Sequence, residues 1–349
     1  MTRKPTSLDE AYLNQRFLDS VDARPLRILS EYLYPFARFE DQDVSDTIVF
    51  MSSARCLSGD DARAALDKAR AEGGDVAAAE RMVALSRYYE DARELARRLT
   101  EWSKGLDGNR RRFVVCSGGG PGVMEAANRG ASEAKGLNMG LGISIPGEAH
   151  ENPYTTRELA FKFHYFFMRK FWFIYLAKAV VFFPGGFGTL DELFEVLTLV
   201  QTGKLTKRMP LILYGSAYWD DVLDFSALVR HGTIGATDTE LFFRADSVDD
   251  AFAFITQSLD EYAIEQRAAV SEMVGSGPAS APIARAPRRP RRRPSGGRGR
   301  AFRGLADGRV VVFEQGPGDL ARHIPVGVDL AHGRNFGRRA GEEDLRRAG

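Results

Sequence analysis

The sequence predicts an α/β protein: a Rossmann-like, doubly wound, mainly parallel sheet flanked by helices, followed by a disordered C-terminal tail. Three observations carry this. Short β-prone runs are almost continuously apolar, as strands buried on both faces of a parallel sheet must be. Helical patterns with apolar residues every three or four positions separate those runs. Two glycine-rich turns each fall directly between a strand run and a helix.

Residues 1–45 read as an N-terminal helical extension, and 46–268 as the α/β domain. The first strand is Thr47–Met51 (TIVFM). A long amphipathic helix covers Ala77–Ser103, with Met82, Leu85, Tyr88, Tyr89, Leu95 and Leu99 on one face. The strand Arg112–Cys116 leads into a helix over Pro121–Lys135, and Gly140–Ile145 is the third strand. A helix over Phe166–Ala177 precedes the strand Ala179–Phe183. Helix Leu190–Thr202, strand Pro210–Tyr214 and helices Ala217–Val229 and Val248–Gln266 complete the domain. Residues 269–349 are rich in Pro, Arg and Gly and too polar to offset chain entropy, so they are expected to be disordered. Arg309–Phe313 (RVVVF) is β-prone, but no core remains for it to join.

The formal net charge of +1 is unevenly spread. The tail holds sixteen arginines, eight acidic residues and no lysine, which leaves residues 1–268 at about −7. A mildly acidic body is not the footprint of a nucleic-acid binder, so nucleic acid is not the expected partner. The Arg-rich tail leaves weak binding to an anionic partner open. Cys56 and Cys116 cannot form a disulfide framework or a zinc site, and the five histidines lack metal-ligand spacing, so no metal is expected. The N-terminus has no apolar signal-peptide core, and the apolar stretch Phe171–Phe183 is too short to cross a bilayer. A cytoplasmic location without a membrane partner is the expectation.

The glycine turns are Ser117–Gly122 (SGGGPG), followed by Val123, Met124 and Glu125, and Pro184–Glu192 (PGGFGTLDE). Glycines let a ligand approach the backbone, and the free amides of the following helix suit phosphate. Neither turn is a P-loop, since no GK[ST] follows. Thr189 and Glu192 fit two readings. T-x-x-E is the capping-box pattern, with Thr at the N-cap and Glu reaching back. Alternatively, Glu192 projects from the first helical turn into the site, where a carboxylate would stabilise an oxocarbenium-like transition state or orient water. Arg169, Lys170 and Arg55 are either solvated cations or forks for phosphate and ribose. Trp172, Phe173 and Tyr175 are expected in the core or at a subunit interface.

These motifs resemble one family. Pro184–Glu192 fits the P-G-G-x-G-T-x-x-E signature of the Lonely Guy (LOG) family, the cytokinin-riboside 5′-monophosphate phosphoribohydrolases once described as possible lysine decarboxylases. Gly118–Ala126 (GGGPGVMEA) and Met168-Arg169-Lys170 agree with it in order, and the resemblance runs from about Asp46 to Ile255. The N-terminal extension is similar to that of the longer bacterial subgroup. The resemblance implies hydrolysis of AMP or N6-substituted AMP, with Arg169 and Glu192 as the catalytic pair and no metal or organic cofactor. It puts Gly185, Gly186, Phe187, Gly188 and Thr189 in the phosphate loop, with Lys170 and Asp191 as substrate contacts. Ser53, Arg55, Gly119, Gly120 and Glu125 complete the candidate binding residues. It also implies a homodimer or an assembly of dimers, with the helix around Arg169 near the subunit contact. A departure is Ser52, where the subgroup has glycine. If that backbone needs positive φ, Ser52 costs about 1 kcal/mol. If the glycine makes room for ligand, the hydroxyl crowds it. The competing readings are a non-catalytic nucleotide or molybdenum-cofactor carrier of the same fold, and a pyridoxal-phosphate decarboxylase, for which none of the nine lysines is singled out.

Overall fold

The computed structural model describes residues 10–106, 111–145 and 152–275, with side chains up to 261. Most of the tail expected to be disordered, with its RVVVF segment, lies outside the described residues. Seven strands form one sheet in the order β4-β3-β2-β1-β5-β6-β7. They are β1 (Thr47–Met51), β2 (Val114–Ser117), β3 (Asn138–Ile143), β4 (Ala160–Phe163), β5 (Ala177–Phe182), β6 (Leu211–Tyr214) and β7 (Phe243–Ala245). Every pairing between neighbours is parallel. The α-helices are α1 (Gln15–Leu18), α2 (Arg24–Asp41), α3 (Gly59–Glu72), α4 (Val76–Lys104), α5 (Val123–Glu133), α6 (Phe166–Leu176), α7 (Phe187–Gln201), α8 (Ser216–Val222), α9 (Phe225–Arg230) and α10 (Val248–Gly275).

Alternate strand residues feed two cores. Val49, Cys116, Leu141, Val180 and Leu213 face α2, α6, α7, α8 and α9 through Phe39, Trp172, Leu193, Trp219 and Phe225. Ile48, Phe50, Val115, Val181 and Tyr214 face α4, α5 and α10 through Leu95, Leu99, Ala127 and Ile255. Burial on both faces explains the continuous apolar strand runs. Helices α4 and α5 approach so closely that a Cβ on Gly130 would lie 1.9 Å from the Arg93 carbonyl.

Three elements escape the sequence patterns for physical reasons. Strand β4 alternates exposed Ala160 and Lys162 with buried Phe161 and Phe163, and its aromatics merge with those of α6. Strand β7 is only three residues long. Helix α3 buries Gly59 and Ala62, so it lacks an apolar stripe and depends on a Ser58 cap and on Asp60 and Asp61 in its first turn. The helix expected over Ala217–Val229 is broken in two, because the Asp224 carboxylate caps a new start by accepting from the Ala227 amide. Trp172 and Phe173 are buried, whereas Tyr175 is 40% exposed.

Strand order reverses at β1, with β2 on one side and β5 on the other. Ligands of open α/β sheets bind beyond the carboxyl ends of strands at such a switch point. The two glycine turns follow β2 and β5, so both lie there.

Candidate active site

The turn after β1 joins the two glycine turns. The Ser52 hydroxyl donates to the Pro184 carbonyl at 3.0 Å, and the Ser53 amide donates to the same oxygen at 3.3 Å. On the other side, Gly122 packs so tightly that a Cβ would lie 2.6 Å from the Ser53 carbonyl. Ser52 is not among the described residues with positive φ, so the strain expected from the missing glycine does not arise. Its hydroxyl instead ties β1 to the PGGFGT loop. Arg55 is exposed in the same turn, and its amide donates to the Ser53 hydroxyl.

Helix α7 starts at Phe187 with Gly186 as N-cap and no side-chain cap bond, so the capping box does not form. Thr189 is buried in the first turn, its hydroxyl 2.1 Å from where a Cβ on Gly185 would stand. Glu192 therefore sits in the second turn, not the first. Its side chain points inward because the helical repeat aligns it with Thr189, three residues earlier. The first intrahelical bond of α7 joins the Leu190 amide to the Gly186 carbonyl, so the amides of Phe187, Gly188 and Thr189 have no intrahelical acceptor. Gly186 and Gly188 have open space where a Cβ would stand, and Phe187 is 92% exposed beside them. From α8, the Tyr218 hydroxyl holds the Gly185 carbonyl at 2.6 Å, a contact without a sequence signal.

Arg169 comes from α6 and meets Glu192, Nη1 to Oε1, at 3.4 Å, with each side chain only 12% exposed. The Arg169 Nε donates to the Leu141 carbonyl of β3 at 2.7 Å, and the guanidinium lies over the Phe173 ring. A Cβ on Gly118 would lie 2.7 Å from this guanidinium, so the first glycine turn makes room for it. The sequence separates these groups, and the fold brings together a helix cation, a helix carboxylate and both glycine turns.

Burial dominates the electrostatics. It pushes the Glu192 carboxyl up to about 7, against the opposing pull of Arg169. It also lowers the Arg169 pKa, against the attraction of Glu192. A carboxyl that titrates near neutrality, with a fixed cation beside it, is the equipment of an acid–base or charge-stabilising site.

Other predicted residues sit differently. Lys170 points along the outside, where its Nζ meets Asp191 at 2.6 Å and Glu195 at 3.1 Å. Burial works against its charge, but the two carboxylates outweigh it and raise its pKa. With Asp191 it lines an open groove of about 350 Å³ along α7, together with Phe194, Glu195, Thr198 and Leu199. Glu125, in the first turn of α5, accepts the Tyr89 hydroxyl of α4 at 2.9 Å. Gly119 adopts φ +65° and lies against Gly140, while a Cβ on Gly120 would strike Met124. The Gly119 amide donates to the Ser117 hydroxyl, which donates to the buried Asn128 side chain at 2.6 Å. That polar anchor escapes a search for charged or glycine motifs.

Both cysteines are buried thiols. Among the described residues, no group of three or more His, Cys, Asp or Glu side chains is placed to hold a metal ion. A Schiff base needs a neutral lysine amine. Lys170 is a paired cation, and Lys207, whose pKa burial lowers to about 8, donates to carbonyls at the end of α6, at the amino-terminal end of β5 and away from the glycine turns. Among the described residues, no helix is long and apolar enough to cross a membrane.

Residues 124–255 match the family described as "Possible lysine decarboxylase", a span that includes Arg169 and the loop from Gly185 to Glu192. The chain is similar to two phosphoribohydrolases of Arabidopsis thaliana. It is 33% identical over 99 residues to cytokinin riboside 5′-monophosphate phosphoribohydrolase LOG2, covering 28% of this chain and 44% of that protein. It is 35% identical over 88 residues to the enzyme LOG3, covering 25% and 39%. The matched stretch thus spans less than half the length of either plant protein. A solved structure of the Moco carrier protein from Chlamydomonas reinhardtii is 18% identical over 62% of this chain and 99% of that one, with a TM-score of 0.38.

Proposed function

From the resemblance to the Lonely Guy family that these matches bear out, we propose that this chain is a phosphoribohydrolase. It hydrolyses the N-glycosidic bond of AMP or an N6-substituted AMP to free base and ribose 5-phosphate. The observation that carries this is the buried Arg169–Glu192 pair beside the glycine loop of α7. The 5′-phosphate lies on the amides of Gly186 to Thr189, where the helix dipole favours an anion. This remote anchor aligns the ribose with Glu192. As the C1′–N bond breaks, its electron pair leaves with the base, which takes up a proton. Ionised Glu192 offsets the positive charge developing at C1′ and orders the water whose oxygen bonds to that carbon; as that bond forms the water gives up one proton, which balances the one the base gains. Arg169 holds Glu192 in place and faces the phosphate or sugar.

A nucleotide or molybdenum-cofactor carrier needs the glycine loop but has no use for a buried carboxyl near neutrality beside an arginine. The active unit is a homodimer or an assembly of dimers, supported by exposed Phe166, Phe167, Phe171 and Tyr175 on α6. The location is cytoplasmic.

The test incubates the protein with AMP and with isopentenyladenosine monophosphate, each beside its unphosphorylated nucleoside. Chromatography then reads the released base. Base from the monophosphates alone is the expected result. Nucleotide binding without base release would replace this proposal with a carrier. Glu192→Ala is expected to lose turnover while still binding AMP, and full activity in that variant removes Glu192 from the mechanism.

A further inference from the structure

Helix α6 carries Arg169, yet its N-cap residue, Tyr165, makes no side-chain cap bond. The N-cap amide and the one before it instead take their acceptor from α2. The Glu31 carboxylate accepts the His164 amide at 2.7 Å and the Tyr165 amide at 3.3 Å. The Glu31 main-chain carbonyl accepts the Trp172 indole N–H at 2.9 Å. One residue of α2 therefore grips α6 on both sides of Arg169. The link to Arg169 is short, since its amide donates to the Tyr165 carbonyl at 3.2 Å. Tyr32 and Phe39 of α2 pack on the Trp172 ring at centroid distances of 5.4 and 5.1 Å, which fixes the spacing of the two helices. A carboxylate at a helix N-terminus is favoured by the dipole, and its bonds to amides are charge-assisted.

The Arg169–Glu192 contact, at 3.4 Å, is long for a charge-assisted bond. Its length is set by where α6 holds Arg169 and where α7 holds Glu192. The charged groups around Glu192 are Arg169 and Lys170 of α6 and Asp191 and Glu195 of α7 itself. Both cations thus ride on the helix that Glu31 holds.

We propose that Glu31 is a positioning residue: by clamping the start of α6 from α2, it sets the alignment of Arg169 with Glu192. The consequence for catalysis rests on the function proposed above, and the placement of Arg169 does not. Helix α2 lies outside the matched residues 124–255, so the N-terminal extension becomes part of the frame of the site.

The experiment uses the full chain with ¹³C-labelled glutamate, with the Glu192 signal assigned by its loss in Glu192→Gln. Carboxyl titrations are recorded for wild type, Glu31→Ala and Glu31→Gln, together with kcat and KM for AMP. Removing the clamp withdraws Arg169, so Glu192 is expected to titrate higher in Glu31→Ala by about half a pH unit. Glu31→Gln keeps one acceptor oxygen and is expected to lie between, with kcat falling in the same order and KM little changed. If Glu31→Ala does not fold, Glu31→Gln carries the comparison. Identical Glu192 titration in every folded variant overturns the proposal, even if folded yield falls. A shifted titration in a protein that releases no base from either monophosphate supports the clamp and overturns the proposed function instead.

Discussion

In the proposed mechanism, the pH dependence of turnover follows from the surroundings of Glu192. An ordinary glutamate is almost fully ionised at pH 6. Burial beside α6 pushes Glu192 up to about 7, where Arg169 opposes but does not cancel the shift. If the ionised form is the working form, one-proton titration leaves about a tenth of the enzyme competent at pH 6 and about nine tenths at pH 8. The expected result is a rise in kcat/KM, which reports the free enzyme, of roughly tenfold between these values, with a limb centred near 7. The assay is initial-rate base release from AMP well below its KM between pH 5.5 and 8.5 at constant ionic strength. Substrate phosphate ionises a second time near 6, and that limb is common to wild type and Glu192→Gln. Arg169→Gln removes the group that holds the Glu192 pKa down, so it should lower the rate and move the limb upward. A flat profile down to pH 5.5, or an unchanged limb in the residual activity of Glu192→Gln, refutes the assignment.

Stability should carry the same signature. The native pKa of Glu192 lies above its unfolded value, so this group's contribution is fully present below about 4.5 and lost as pH rises through about 7. The loss is at most about 3 kcal/mol. Urea midpoints at pH 5 and pH 8 should therefore differ less in Glu192→Gln than in wild type, and equal differences would sink the linkage. Gly188→Ala should leave thermal stability unchanged or slightly higher, because a Cβ there meets open space in the first turn of α7. It should nevertheless weaken AMP binding, since the proposed phosphate site lies against that backbone. Gly185→Ala should destabilise by about 1–3 kcal/mol, because its Cβ would strike the buried Thr189 hydroxyl. Equal AMP affinity in Gly188→Ala and wild type would move the phosphate elsewhere. Ser52→Ala loses the bond to the Pro184 carbonyl and should cost about 1 kcal/mol, which calorimetry reads as a drop of about 2–4 °C.

Much of the fold was legible because it is written in local patterns. TIVFM, RFVVC and AVVFF announce strands buried on both sides, and each does run through the sheet. The glycine turns were legible because their spacing after a strand and before a helix is itself sequence information. Strand β4 and helix α3 were not, since an alternating edge strand and an exposed, polar, capped helix bury too little to leave a periodic trace. Thr189 and Glu192 show how a local rule can mislead. T-x-x-E allows a capping box, but the chain enters α7 two residues before Gly188 and the helix starts early, so Glu192 turns inward instead.

By itself, the sequence determined the α/β architecture, the two glycine turns and the identity of Arg169 and Glu192 as candidates, because periodicity, glycine spacing and motif order are properties of neighbouring residues. Only the tertiary structure decided that Glu192 is buried against Arg169, that Ser52 is a strut and not a strain, and that Lys170 pairs outside with Asp191 and Glu195. It alone joined Glu31 to α6 across 133 residues of chain. Burial and distant hydrogen bonds depend on which elements pack together. A local pattern carries no record of what will remove water from a carboxylate or accept a helix's free amides.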